Sequence, residues 1–194
     1  SEGNIGEDAN FKGVAYCITE DSYKNIWIGT KGEGVYKLTP KRDKRYHIKN
    51  FKSSKTNIYA LSDNNVYSIF EDKFKRMWIG TYGGGVNLVE QDNDSVTFIN
   101  YKNKLINYPI ETGSQVRIIS SDKNGNIFIG STLGLLVMSS DFNEPKEIEF
   151  REHYAQNNDY SLKANDIFDI CTTRNGETFI SVFGGGISRV TETD

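Results

Sequence analysis

An all-β fold built from four repeated, four-stranded antiparallel sheets, the last incomplete, is predicted by three observations. Aromatic anchors recur at Trp27, Trp78, Phe128 and Phe179, at intervals of 51, 50 and 51 residues. Each anchor stands six residues after Asp21, Asp72, Asp122 or, in the fourth unit, Thr173, and each is followed by a glycine turn, one residue shorter in the third unit. Eighteen glycines against three prolines, with 12% aromatic residues, supply tight turns and strand formers, and no segment holds a helical period. One such sheet cannot hide both of its faces, whereas sheets stacked radially cover one another. That arrangement is a β-propeller segment, and the period matches blades of about 50 residues. A repeated sandwich or a β-solenoid is the alternative, although solenoid coils are usually shorter than this period.

The units follow in order behind a polar N-terminal segment, 1–13, with blades at about 14–52, 64–102, 115–154 and 166–190. The second unit carries strand-like runs at Val66–Phe70, Met77–Thr81, Val86–Glu90 and Val96–Tyr101. Glu71–Arg76, Gly83–Gly85 and Gln91–Ser95 join them and are short enough for antiparallel hairpins. The first and third units repeat this pattern around Trp27 and Phe128, and the fourth stops after Val190, before its outer strand. The four anchors are expected to fill the wedges between blades. Four blades would curve tightly, so the chain reads as part of a larger propeller.

Charge and composition exclude several function classes. With 23 basic and 26 acidic side chains the net charge is −3, without the basic excess that a nucleic-acid or membrane-surface partner requires. Two cysteines and two histidines make neither a structural zinc module nor a disulfide framework. Cys17 and Cys171 occupy non-equivalent positions in inner strands of distant units and are expected to be small, buried, free thiols. No apolar run approaches the ~18 residues of a membrane span, and no secretory leader opens the sequence.

Enzymatic chemistry finds little support, and no cofactor, metal or catalytic residue is expected. His47 and His153 lie in outer strands without obvious partners, and no serine has a nucleophile-elbow context. The triple glycines Gly83–Gly85 and Gly184–Gly186 precede strands rather than helices, so they are hairpin turns and not phosphate loops. The paired carboxylates Glu20-Asp21 and Glu71-Asp72 recur at equivalent positions beside a hairpin turn and read as turn-capping by the Asp side chains.

The phrase Asn65-Val66-x-x-Ile69-x-Glu71-Asp72, then Trp78-Ile79-Gly80-Thr81 and Gly83-Gly84-Gly85, resembles the two-component regulator propeller repeat. A weaker mark recurs upstream, Phe51 with Ala60-Leu61-Ser62 before the second unit and Tyr160-Ser161-Leu162 before the fourth. The resemblance covers about residues 13 to 190 and loosens in units three and four. There Phe replaces Trp, and Ser131 and Val182 replace the threonine. It implies a non-enzymatic segment of the periplasmic sensor region of a hybrid two-component histidine kinase. Such regions detect carbohydrate fragments and control transcription. The rest of the parent sensor would then be a partner, with an oligosaccharide as ligand. Ser120–Phe128 is similar to the Asp-box of sialidase propellers, with one residue too many, which keeps a propeller glycosidase or lyase as the alternative beside a purely protein-binding scaffold.

Meander geometry nominates the binding residues. Lys31, Tyr82, Thr132 and Phe183, which begin the glycine turns, share one rim with Asn65, Gln115 and Asp166, which lead into the inner strands. One residue further in stand Tyr16, Tyr67, Arg117 and Phe168. Aromatics, amides and cations on one rim suit a sugar, whose apolar faces stack on rings while its edges hydrogen-bond. The competing expectation is that Tyr16, Tyr67 and Phe168 pack between blades. The basic residues of the opposite rim, Lys24, Lys73, Lys75, Arg76, Lys123 and Arg174, read as a solvated face. Bare flanks on the first and fourth units are expected to drive self-association into a dimer, with residues 1–12 as a candidate exchanged strand.

Overall fold

A computed structural model describes residues 13–43, 45–92, 95–158 and 161–190. It is a four-bladed β-propeller arrangement of antiparallel sheets. Blade 1 holds β1 (Val14–Glu20), β2 (Ile26–Lys31), β3 (Val35–Pro40) and β4 (Tyr46–Phe51). Blade 2 holds β5 (Val66–Glu71), β6 (Met77–Thr81), β7 (Gly85–Asp92) and β8 (Ser95–Ile99). Blade 3 holds β9 (Val116–Ser121), β10 (Asn126–Ser131), β11 (Leu135–Ser139) and β12 (Arg151–His153), and blade 4 has only β13 (Ile167–Thr172), β14 (Thr178–Val182) and β15 (Gly186–Val190). The helical content of the described residues is a single turn, α1 (Ile110–Gly113), and a 3-10 turn at Pro145–Glu147. Among the described residues no helix is long and apolar enough to cross a membrane.

Among the described residues three of four apolar clusters lie between the blades, and the fourth, Ile28, Tyr36 and Leu38, lies within blade 1. Trp27 of blade 1 packs with Val66, Ile69 and Ile79 of blade 2. Trp78 packs with Val116, Ile119 and Ile127 of blade 3, and Phe128 with Ile167, Ile170 and Ile180 of blade 4. The upstream leucines of the repeat are buried too. Leu61 and Leu162 sit at parallel bridges to Ser53 and Ala155, just past the outer strands of the preceding blades.

The blades approach so closely because the second strand carries glycine where the next blade arrives. A Cβ on Gly29 would lie 2.6 Å from Val66 Cγ1, one on Gly80 2.6 Å from Val116 Cγ1, and one on Gly130 2.5 Å from Ile167 Cγ2. The fourth unit has Ser181 at this position. A further blade seated on blade 4 would therefore need a different approach.

The outermost flanks lack the cover that the repeat gives elsewhere. Ile18 is 69% exposed, whereas its equivalents Ile69, Ile119 and Ile170 are 7%, 3% and 6%. On the other side Ile187 is 71% exposed, against 0%, 0% and 4% for Val35, Val86 and Leu135. This corrects one expectation. Cys17 is held against blade 2 by neighbours of the first cluster, and burial pushes its thiol up to about 11. Cys171 is exposed instead of buried, because it lies on the uncovered flank of blade 4. The exchanged strand considered for residues 1–12 lies outside the described residues.

Five of the six basic residues of the opposite rim are exposed, as expected of a solvated face, and two of those five also bridge to the next blade. Lys73 donates to the Asn124 carbonyl at 2.9 Å, and Lys123, one blade on, donates to the Arg174 carbonyl. In blade 1 Ser22 holds the place of these lysines, and its amide and hydroxyl donate to the Glu71 carboxylate at 3.0 and 2.7 Å. These contacts tie the first turn of blades 1, 2 and 3 to the next blade. Glu71 is thus an inter-blade acceptor, while the Asp beside it caps the turn, as expected.

Candidate ligand-binding rim

The first strand of every blade carries one β-bulge, and all four bulges fall at the same place in the repeat. The register shifts between Ala15 and Cys17, between Val66 and Ser68, between Val116 and Ile118, and between Ile167 and Asp169. The extra residues are Tyr16, Tyr67, Arg117 and Phe168. A bulge leaves one residue outside the ladder and re-aims its side chain. Here it turns these four away from the inter-blade clusters and toward one another.

The result is a continuous ladder across all four blades. Tyr16 and Tyr67 have ring centroids 4.3 Å apart, and Tyr67 stacks on Tyr82 at 4.9 Å. The Arg117 guanidinium lies 5.7 Å from the Tyr82 ring and 5.2 Å from the Phe168 ring, within cation–π range of both. Its orientation is fixed by a bidentate pair with Asp166, Nε to Oδ1 at 2.9 Å and a terminal nitrogen to Oδ2 at 3.2 Å. Hydrogen bonding with Tyr16, then burial, raises the Tyr67 hydroxyl above its ordinary value, while the positive charges of Lys31 and Arg117 act against the rise.

The remaining candidates divide into supports and free groups. The Asn65 carbonyl accepts from the Tyr82 amide at 2.8 Å, and its side-chain amide donates to Asp63 Oδ1 at 3.0 Å. Gln115 pairs with Tyr82 in an isolated bridge and accepts from the Thr132 hydroxyl at 2.8 Å. Both therefore hold the turns in place. Phe183 is 70% exposed, with its amide on the Asp166 carbonyl, and Lys31 is exposed beside Tyr67. The structure brings Tyr16, Tyr67, Tyr82, Arg117, Asp166 and Phe168 into one linked row. Tyr16 and Tyr67 do pack on each other across two blades, but outside the inter-blade apolar clusters, and Tyr16 and Phe168 stay 39% and 57% exposed.

The rim and the repeat can be set beside known proteins. The family model described as two component regulator propeller matches at residues 11–32 and 60–83. These two segments are two-component regulator propeller repeats. No curated protein matches the chain. Among solved structures, the extracellular domain of a putative hybrid two component system from B. thetaiotaomicron aligns with a TM-score of 0.64 at 19% identity, over 92% of this chain and 24% of that one. PorZ, a surface component of the type-IX secretion system of Porphyromonas gingivalis, aligns with a TM-score of 0.60 at 17% identity, over 92% of this chain and 24% of that one. Catalytically inactive virginiamycin B lyase from Staphylococcus aureus aligns with a TM-score of 0.57 at 14% identity, over 96% of this chain and 58% of that one. These likenesses show the propeller fold. The chain spans less than a quarter of the two-component neighbour's length.

Proposed function

We propose that this chain is an extracytoplasmic, periplasmic ligand-sensing segment of a hybrid two-component system, and that the bulge ladder receives a saccharide. The ladder carries the reading. Four repeat units place their bulge side chains in one row, with half-exposed rings at Tyr16 and Phe168 and an arginine already oriented by Asp166. Rings stack on the apolar face of a sugar, and the guanidinium and the Tyr67 hydroxyl offer hydrogen bonds to its edge. The repeats at 11–32 and 60–83 and the two-component neighbour support the sensor context, and a histidine kinase elsewhere in the parent protein is part of the same proposal.

A propeller lyase is the second reading, favoured by the lyase neighbour. That structure is of an enzyme inactivated by replacing one histidine. Here His47 and His153 sit on outer strands β4 and β12, away from the ladder, and burial and then Arg151 lower the His153 imidazole below its ordinary value. Titration against an oligosaccharide panel separates the readings. Saturable binding without product is expected, weakened about five- to tenfold by Tyr67→Ala, since one stacked ring carries on the order of 1–1.5 kcal/mol. A shortened sugar, or affinity unchanged by Tyr67→Ala, would contradict the sensor reading.

The same reading proposes a cover for the bare flanks of blades 1 and 4, neighbouring blades in the parent sensor and a second copy when the chain is alone. Sedimentation of the isolated chain is expected to give twice the mass of one 22.0 kDa chain, and a monomer at tens of micromolar would contradict it.

A further inference from the structure

The ladder ends in open rings on both sides, Tyr16 at the flank of blade 1 and Phe168 with Phe183 at the flank of blade 4. From each blade to the next, the same repeat positions meet. The glycine of the second strand makes room for Val66, Val116 or Ile167. Ser68 Oγ accepts from the Ile119 amide at 2.9 Å, Ser22 donates to the Glu71 carboxylate at 2.7 Å, and Tyr82 faces Arg117. Carried one step beyond blade 4, the corresponding positions are Ser181, Asp169, Arg174 and Phe183.

The inner strand of blade 1 matches each of the four. At the glycine position a Cβ stands 2.5–2.6 Å from a γ-carbon of the following blade, so Ser181 collides with any blade that brings Val or Ile there. Blade 1 alone among the four brings alanine, Ala15, and the atoms added on one side are missing on the other. Arg174 replaces Ser22 as the donor, and its acceptor position, Ser121 and Thr172 in blades 3 and 4, is Glu20 in blade 1. Both are exposed, and the pair is a base opposite an acid. Asp169 holds the place of Ser68 and is set toward the Ile18 amide, while its Oδ1 already accepts from Ile170 at 2.9 Å. Phe183 corresponds to Tyr82 and Tyr16 to Arg117, so two exposed rings meet, with Phe179 and Ile187 against Ile18 beside them. Further out on blade 1, Ile28, Tyr36 and Leu38 are already buried as a cluster, which confines the contact to the inner strand.

We propose that blade 4 of one copy seats on blade 1 of a second, and that the reciprocal contact closes a two-chain ring in which the two ladders join through Phe183 and Tyr16. A head-to-tail contact either closes or grows into a filament. Two copies of four blades make eight, within the range of about four to eight in which propellers close, and three copies would exceed it. The inference rests on the reading that a second copy covers the flanks when the chain is alone. It adds which faces meet and in what register, and it makes the saccharide rim composite, each ladder continued by the other copy.

Sedimentation equilibrium of paired variants, at constant ionic strength and without any saccharide, tests the contact. Glu20→Arg or Arg174→Glu alone sets like charges against each other at both contacts of the ring, and each is expected to weaken dimerisation about tenfold or more. Mixing the two variants one to one, or combining both changes in one chain, pairs opposite charges at both contacts again and is expected to restore the dimer. Ala15→Val is expected to weaken it likewise, and Ser181→Gly added to it to recover it, since that pair is the one found in the other gaps. Cys171 is the cross-strand partner of Phe179 on the same flank, so its reaction with a soluble disulfide reagent is expected to slow as the dimer forms. A monomer, or species that keep growing with concentration, would overturn the ring. A dimer indifferent to both pairs of changes would overturn this contact while leaving a second copy as the cover of the flanks. Failure of the saccharide reading leaves all of these readouts unmoved.

Discussion

Trp78→Ala is expected to cost about 3–5 kcal/mol of unfolding free energy, a large part of the total for a domain of this size. Trp78 is fully buried between blades 2 and 3, in a cluster with Val116, Ile119 and Ile127, and its indole N–H is bonded to Asp72 Oδ2 at 3.0 Å. Truncation removes the largest side chain of that wedge and leaves a cavity that two sheets, each tied by its own ladder, cannot collapse to fill. The fourth anchor supplies the control. Phe179 is at the same place in the repeat but is only half-buried, because none of the described blades covers its flank. Phe179→Ala is therefore expected to cost about 1 kcal/mol. Urea unfolding of both variants gives the comparison. Equal losses would mean that the flank of blade 4 is covered in solution.

The sequence made some features legible and hid others, for physical reasons. The period from Trp27 to Phe179 exposes the blades because every unit must bury the same wedge, so the anchors cannot drift. Strand limits in blade 2 fall within one or two residues of expectation, since the glycine turns and Asp72 fix both ends of each hairpin. The bulges were not legible. A bulge shifts parity by one residue, so Tyr67 stands where simple alternation continues, and only its repetition as Tyr16, Arg117 and Phe168 in paired registers reveals it. Period-2 reading left these rings undecided between packing and rim.

Contacts between units were equally hidden. Nothing local distinguishes Lys73 or Lys123 from a solvated lysine, because their acceptors are carbonyls about one full repeat away. The concavity between the outer halves of blades 1 and 2 has a readable trace only in hindsight, as the repeat-equivalent changes of Arg76 to Asn25 and Leu88 to Lys37. Burial at the flanks also defeated local reading. Ile18 and Cys171 have the residue types of a core and lose their cover through the position of their blades in the row.

Asp72→Ala is expected to cost about 3 kcal/mol, more than the same change at the other turn aspartates. The Asp72 carboxylate is buried and accepts four bonds. Oδ1 takes the amides of Phe74 at 2.9 Å and Arg76 at 3.0 Å, and Oδ2 takes Arg76 Nε at 2.7 Å and the Trp78 indole at 3.0 Å. It thereby fixes a turn in which Lys75 adopts φ 62°, a left-handed conformation that is costly for a residue with a Cβ and falls to glycine at Gly125 and Gly176 in the later blades. Removing the carboxylate strands an indole N–H, two amides and a partly buried guanidinium at once. Arg76 is 23% exposed and keeps the Ser140 carbonyl and the Phe142 ring, which limits the loss below that of a fully enclosed pair. The repeat grades the effect. Asp21 serves the same indole and turn with Asn25 in place of the arginine, whereas the bonds found at Asp122 are to Asn126 alone, because Phe128 offers no N–H. Asp122→Ala is therefore expected to cost about 1 kcal/mol. A double-mutant cycle of Asp72→Ala with Arg76→Ala, read by urea unfolding, isolates the charge contribution and is expected to give a coupling of about 1–2 kcal/mol. Additive losses, or equal costs at Asp72 and Asp122, would show that the turn is held by its backbone and not by this carboxylate.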